Sequence, residues 1–122
     1  MKNNGFTVKK RARSFKFAFR GIARLIRYEH NAWIHSCAAI AVIIAGIALD
    51  ISRTEWVAVV LSIGLVMAAE AVNSAIEALC DLVSPGYNEA IKHTKDLAAG
   101  AVLILAIAAA IIGCMIFLPK IL

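Results

Sequence analysis

The sequence predicts an all-α membrane protein with one amphipathic helix on the membrane surface and three helices that cross the membrane. The first observation behind this prediction is composition: the 122 residues are 61% hydrophobic and 17% charged, with a mean hydropathy of +0.80. A soluble domain of this size cannot bury so much apolar surface. The second observation is that three apolar stretches are each long enough to cross a bilayer. The third is a cluster of basic residues at the beginning of the chain.

The region before the first apolar stretch is basic and amphipathic. Residues 1–5 are predicted to be disordered and residues 7–28 to form a helix. Apolar side chains recur there with the spacing of one helix face, namely at Phe15, Ala18, Phe19, Ile22, Leu25 and Ile26. Lys and Arg occupy most of the other positions, which is typical of a helix lying in the membrane interface. Because the hydrophobic spans follow directly, anionic lipid headgroups are the expected partner of this region, and nucleic acid is not.

The three predicted spans cover residues 32–49, 56–79 and 97–118. A polar turn at 50–55 makes the first two spans antiparallel. The Ser84-Pro85-Gly86-Tyr87 sequence predicts a loop, and a short polar segment follows it up to Asp96. Pro119 is expected to end the third span. Gly100 and Gly113 are small enough to let another helix approach closely.

The distribution of positive charge predicts the orientation of the bundle. The basic arm and the segment with Lys92 and Lys95 fall on one side of the membrane, whereas Arg53 and Lys120 fall on the other. By the positive-inside rule, the N-terminus and the 82–96 region should be cytoplasmic. Three spans then place the C-terminus outside.

The second span carries an unusual row of polar residues. Relative to Glu70, the residues Asn73, Ser74, Glu77 and Asp81 fall at about −60°, +40°, −20° and +20° around the helix, an arc of about 100°. Glu70 lies about 21 Å along the helix axis from Trp56, which places it beyond the midplane of a hydrocarbon core about 30 Å thick. One face of this helix is therefore acidic at a depth where the other faces are apolar.

Acidic residues at this depth indicate a functional site. Burying one carboxylate there costs about 3 kcal/mol on insertion scales. A polar stripe that joins helices is the structural alternative, but two Glu and one Asp repel each other unless a cation joins them. Carboxylates suit Mg²⁺, Lys95 suits phosphate, and a carboxylate at headgroup depth can accept a proton from a hydroxyl. Together they suggest phosphoryl transfer to a lipid hydroxyl, although spacing alone indicates no more than a membrane protein with a cation or proton site.

The same residues carry a resemblance to a known family. Glu70, Asn73, Ser74, Ala75, Ile76, Glu77 and Asp81 match the pattern E-x-x-N-[ST]-A-I-E-x-x-x-D. The segment from Lys95 to Val102 is similar to K-D-x-x-A-[GA]-A-V. Both patterns resemble the prokaryotic diacylglycerol kinase and undecaprenol kinase family, and the likeness extends from Phe15 to Lys120. A single integral-membrane lipid kinase domain, residues 1–122, is therefore expected.

The resemblance implies a role for each matching residue. Glu70 would be the general base and would contact the lipid substrate together with Ser74, and Asn73 would hold the reacting groups. Glu29 and Glu77 would bind the Mg²⁺ that accompanies ATP. The nucleotide would be contacted by Lys10, Gly86, Tyr87, Asn88, Lys95 and Asp96. The family also implies a homotrimer with shared sites in the bacterial cytoplasmic membrane.

The substrate and two other functions remain open on sequence grounds. Diacylglycerol and undecaprenol are both possible lipids, and the Asn31, Ile34 and His35 pattern is closer to the undecaprenol kinase branch, as is the Phe117-Leu118-Pro119-Lys120 ending. Trp33 replaces the basic residue that relatives often have at this position. An intramembrane proton or cation relay and a regulatory membrane subunit are the alternatives. His35 is predicted to be an ordinary interfacial histidine.

Overall fold

The computed structural model describes residues 7–122, which form four α-helices joined by short connections. They are α1 (Val8–Tyr28), α2 (His30–Ala48), α3 (Arg53–Val83) and α4 (Glu89–Ile121). By length and apolar composition, α2, α3 and α4 can each cross a membrane. The predicted fold class, one amphipathic helix followed by three apolar ones, is confirmed. The expectation of a disordered start concerns residues 1–5, which lie outside the described part of the chain.

The α1 helix begins at a side-chain cap and ends at an abrupt change of direction. The Thr7 hydroxyl accepts a hydrogen bond from the Lys10 backbone N–H at 3.1 Å. At the other end, Glu29 adopts extended backbone angles and belongs to neither helix. The Trp33 indole N–H donates to the backbone carbonyl of Ile26, which ties the first turn of α2 to the last turn of α1. This junction fixes where the Glu29 side chain lies.

The connection between α2 and α3 is shorter than the sequence predicted. Asp50 lies in the left-handed region with φ of 51°, which Asp tolerates better than most residues. Ser52 and Glu55 then form a capping box: Glu55 Oε1 accepts from the Ser52 N–H at 2.8 Å, and the Ser52 hydroxyl accepts from the Glu55 N–H at 3.2 Å. Because this cap starts the helix at Arg53, the predicted turn at 50–55 was too long.

The boundaries of α4 also differ from the prediction. The Asn88 side chain accepts hydrogen bonds from the N–H groups of Ala90 and Ile91, so the helix begins at Glu89 and includes the polar segment before Leu97. At the other end, the helix continues through Pro119 to Ile121, and the Leu122 N–H still bonds the Leu118 carbonyl at 3.0 Å. The expectation that Pro119 ends the helix was wrong, since Pro119 lacks only its own N–H donor and the hydrogen bond from Leu122 to Leu118 continues the helical pattern across it.

The three long helices pack antiparallel, with the apolar core at the end that contains the α2–α3 turn. Ile51, Val59 and Ile116 form this buried cluster. The Trp56 ring packs over Gly46, where an added Cβ would lie 2.7 Å from the ring. Lys120 Nζ lies 3.4 Å from Glu55 Oε1 and pairs the end of α4 with the start of α3.

Gly46 is thus the glycine at which two helices of this chain meet closely. At Gly100 and Gly113, which the sequence suggested for close approach, a Cβ would meet nothing within 4 Å. The opposite end of the bundle contains α1 and the loop of residues 84–88, and it is called the loop end below. The polar face of α3 points toward this end.

Candidate active site

The predicted acidic face of α3 is turned into the protein. Glu70 is 2% exposed and Asn73 is 7% exposed, so both lie buried among helices. Ser74 and Glu77 are half-buried, and Asp81 is exposed at the loop end. Burial decreases along the face in the order expected for a helix that leaves the membrane. The polar residues therefore form one continuous row from the interior to the loop end.

Two hydrogen bonds organise the middle of this row. The Ser74 hydroxyl donates to Glu29 Oε1 at 2.6 Å, which connects α3 to the α1–α2 junction. The Asn73 side-chain amide donates to Glu77 Oε1 at 3.2 Å, one turn along the same helix. The structure thus brings together four of the predicted residues with Glu29, although Glu29 is 45 residues away from Ser74 in sequence.

A residue outside the predicted site completes its inner end. His35 Nε2 lies 3.2 Å from Glu70 Oε1, an oxygen that accepts no hydrogen bond from the described residues. The sequence contained one signal of this role, since His35 is an ionisable residue inside an otherwise apolar stretch. Its reading as an ordinary interfacial histidine missed the carboxylate that faces it.

Two buried acceptor atoms on this face have no hydrogen-bond donor in the described part of the chain. They are Glu70 Oε1 and Asn73 Oδ1. Leaving buried polar atoms unpaired is unfavourable by about 1–3 kcal/mol each, so such atoms are rare and often functional. Asn73 Oδ1 can accept a hydrogen bond from a ligand, and Glu70 Oε1 can accept one from a ligand or from a neighbouring side chain. The site therefore has unused acceptors at its inner end.

The predicted nucleotide-contacting residues lie at the loop end. Lys95 Nζ is 2.6 Å from Asp81 Oδ1, and Lys92 Nζ is 2.7 Å from Asp96 Oδ2. The hydrogen bond that Lys95 donates to Asp81 raises the pKa of Lys95, and the hydrogen bond that Asp96 accepts from Lys92 lowers the pKa of Asp96. Both groups are therefore charged at neutral pH. Asp81 lies about 16 Å along α3 from Glu70, which separates this cluster from the inner carboxylate.

The other predicted nucleotide contacts are placed in different ways. Tyr87 is 83% exposed and free to meet a ligand, and the Gly86 carbonyl accepts from the Ser84 hydroxyl at 3.1 Å. The Asn88 side chain caps α4. Lys10 lies near the start of α1, about 27 Å along the helix axis from Tyr28. A single chain therefore does not gather the whole predicted nucleotide set around Glu29.

The carboxylates fit a magnesium ion that also binds phosphate. Within residues 7–122, no three His, Cys, Asp or Glu side chains are grouped closely enough to enclose a metal. Mg²⁺ does not need such a cage, since it is usually held by one or two carboxylates together with substrate phosphates and water. Glu29 and Glu77 each use only Oε1 in the hydrogen bonds described above, which leaves Oε2 for such an ion.

An apolar groove leads to the inner end of the site. It lies between α2, α3 and α4, has a volume of about 430 Å³, and extends from His35 to Phe117 near the opposite end of the bundle. Ala, Val and Ile line most of it. The groove is long, and its lining contains few polar side chains, among them His35 and Ser62. A hydrocarbon chain lying in it would end beside His35 and Glu70.

Comparison with known proteins decides the family. A model of the prokaryotic diacylglycerol kinases matches residues 16–117. The chain belongs to this family. Its lipid kinase function, with ATP as co-substrate, confirms the expectation from the second-span motif and does not favour the proton relay or the regulatory subunit. The three apolar helices and the family together make it a membrane protein.

Individual relatives carry two different substrate names. The chain is 43% identical over 108 residues to an undecaprenol kinase of Bacillus subtilis, covering 88% of each protein. It is 39% identical over 110 residues to a diacylglycerol kinase of Synechocystis, covering 89% of this chain and 63% of the relative. It is 37% identical over 92 residues to the diacylglycerol kinase of Escherichia coli, covering 70% of this chain and 75% of the relative.

Proposed function

We propose that this prokaryotic diacylglycerol kinase family member phosphorylates undecaprenol in preference to diacylglycerol. The relative named undecaprenol kinase has a higher sequence identity to this chain than the two diacylglycerol kinases compared above. The match also covers a larger share of that relative's own length. The long apolar groove beside His35 suits an isoprenoid chain, which carries one hydroxyl and no other polar group.

The observation that carries the proposed chemistry is the buried carboxylate of Glu70. Glu70 takes the proton from the lipid hydroxyl while the hydroxyl oxygen forms a bond to the γ-phosphorus of ATP. The bond from that phosphorus to the β-phosphate oxygen breaks, and ADP leaves. The products are a lipid phosphate monoester, ADP and a proton, which Glu70 later releases to water. Asn73 and Ser74 orient the reacting groups beside it.

The other assigned residues hold the nucleotide. Lys95 and Lys10 meet the phosphates, while Asp96, Gly86, Tyr87 and Asn88 contact the rest of the nucleotide. Glu29 and Glu77 hold Mg²⁺, which when bound neutralises phosphate charge during transfer. Ser74 supports this arrangement because its hydroxyl keeps Glu29 beside α3.

We also propose that the chain functions as a homotrimer in the bacterial cytoplasmic membrane, with its N-terminus in the cytoplasm. The position of Lys10, far along α1 from Glu29, supports a nucleotide site that a neighbouring chain completes. Apolar side chains remain exposed along α2, α3 and α4, so neighbouring chains and lipid can both cover them. The excess of basic residues at the loop end supports the orientation.

A direct assay tests the substrate. Purified protein in bicelles would receive labelled ATP and Mg²⁺ with undecaprenol and diacylglycerol offered in parallel. The proposal predicts faster labelling of undecaprenol at equal lipid concentration. Faster labelling of diacylglycerol would reverse the substrate assignment, and labelling of neither lipid by folded protein would contradict the kinase proposal itself.

A further inference from the structure

We propose that His35 is a positioning residue that holds the carboxylate of Glu70 in its reactive orientation. This inference rests on the proposed role of Glu70 as general base. It starts from a single contact between α2 and α3, in which His35 Nε2 lies 3.2 Å from Glu70 Oε1. The His35 side chain is 25% exposed and the Glu70 side chain is 2% exposed.

The surroundings of Glu70 leave His35 as its donor. Glu70 Oε1 is buried and has no hydrogen bond, and among residues 7–122 no Lys or Arg lies within salt-bridge distance of it. The nearest charged neighbours along the face, Glu29 and Glu77, are carboxylates and already accept from Ser74 and Asn73. The imidazole N–H is thus the group able to pair this oxygen.

Pairing one oxygen determines what the other can do. A glutamate side chain has several rotatable bonds, and an unheld carboxylate would sample many orientations. With Oε1 held by His35, Oε2 is the oxygen left to accept the proton, on the helix face that also carries Asn73 and Ser74. The lipid hydroxyl then meets an oxygen in a fixed position, which is the condition for efficient proton transfer.

The position of His35 is set by the same junction that places Glu29. Glu29 directly precedes α2 and His35 lies in its second turn, and they meet Ser74 and Glu70, which are one helical turn apart on α3. Two contacts therefore fix the register of α2 against α3. His35 also lines the inner end of the apolar groove, so a lipid chain there would bring its hydroxyl past the imidazole.

The test compares two replacements of His35. Leu removes the donor, whereas Gln places an amide N–H near the position of Nε2. We expect His35→Leu to lower kcat about 10- to 100-fold with little change in KM for ATP, because a misplaced base affects the chemical step. We expect His35→Gln to recover most of that loss. His30→Leu is the matched control, since the exposed His30 ring faces Trp33 and not the carboxylates.

Two kinetic results would overturn the inference. One is His35→Leu with the kcat of the parent chain. The other is His35→Gln as slow as His35→Leu while both remain folded, which would mean that ring shape matters and the donor does not.

A spectroscopic measurement keeps the inference testable if the variants fail to fold or the parent shows no kinase activity. The ¹⁵N resonances of the His35 imidazole are compared in the parent and in Glu70→Gln, with Glu77→Gln as the control. The inference expects a shift with the first substitution and none with the second. An unchanged His35 resonance in Glu70→Gln would refute the contact, whereas a clear shift in an inactive parent would refute only the kinase proposal.

Discussion

At the scale of single residues, the site depends on contacts between side chains that lie far apart in sequence. Helix periodicity was sufficient to predict the row of Glu70, Asn73, Ser74 and Glu77, because those residues share one helix and one face. It could not predict that Ser74 meets Glu29 or that His35 meets Glu70. Those contacts depend on how α2 crosses α3, which is decided by packing and by the junction at Glu29.

The contact between Ser74 and Glu29 should be visible in the magnesium dependence of the reaction. We expect Ser74→Ala to raise the Mg²⁺ concentration needed for half-maximal activity, because Glu29 loses the hydrogen bond that holds it beside α3. A hydrogen bond to a charged group contributes about 1.5–3 kcal/mol, enough for a tenfold effect. Ser74→Thr keeps the hydroxyl and should stay close to the parent. An unchanged Mg²⁺ requirement in Ser74→Ala would contradict the assignment of Glu29 as a ligand of the metal.

Lys95 and Lys120 offer a matched pair of lysines at opposite ends of α4. Because the pKa of Lys95 is raised, its ammonium is fully charged at neutral pH and would lose its proton only in strongly alkaline solution. Lys95→Met should raise the KM for ATP at least about tenfold, as expected for a lost phosphate contact. Lys120→Met removes only the pair with Glu55 and should leave that KM unchanged. Equal KM values in the two variants would exclude Lys95 from the nucleotide site.

At the scale of helices, the observed boundaries differ from the predicted ones because side-chain caps, and not hydropathy, determine where α3 and α4 begin. Apolar length identified three spans, but it could not show that Asn88 starts α4 or that the Ser52 capping box starts α3. Those side chains satisfy backbone N–H groups that would otherwise be unpaired at the helix ends. The α2–α3 pair is also held by a close approach that no periodic pattern revealed, between Gly46 and Trp56.

The approach of Trp56 to Gly46 makes a stability prediction. A Cβ on Gly46 would lie 2.7 Å and 2.9 Å from two Trp56 ring atoms, so the ring must move. Overpacking of this kind is unfavourable by about 1–3 kcal/mol, which exceeds the gain of about 1 kcal/mol in helix propensity. Gly46→Ala should therefore lower the free energy of unfolding in mixed micelles. Gly21→Ala in α1, where the space around the glycine is open, should not lower the free energy of unfolding. Equal free energies of unfolding for the two variants would contradict the close packing of Trp56 on Gly46.

At the scale of the whole molecule, the described chain carries the two halves of the proposed site at different depths. Glu70 lies inside the bundle, whereas Lys95 and Asp96 lie at the loop end, and Lys10 is far along α1. The family motif in the sequence supplies a prediction of which residues belong to the site. It could not show whether one chain brings them together, because that depends on contacts between chains.

Mixing two inactive variants tests the sharing of sites. If Glu70 and Lys95 of one site come from different chains, combining Glu70→Gln with Lys95→Met in equal amounts creates some sites with both native residues. Random assembly of a symmetric oligomer should then restore about a quarter of the parent activity. The measurement is labelled phosphate transfer after unfolding and reassembling the mixture. Absence of any recovery in well-assembled mixtures would place both residues in the same chain.

The most direct test of the central claim is the activity of Glu70→Gln beside that of Glu55→Gln. Both replace a glutamate of α3 by its amide, but Glu55 lies at the opposite end, where Gln can also serve in the capping box. Labelled phosphate transfer from ATP to lipid would be measured in bicelles with both proteins shown to be folded. The account predicts that Glu70→Gln loses about 10²- to 10⁴-fold in kcat, as removal of a general base should, while Glu55→Gln keeps the parent rate. A folded Glu70→Gln protein with the parent rate would contradict the assignment of Glu70 as the base.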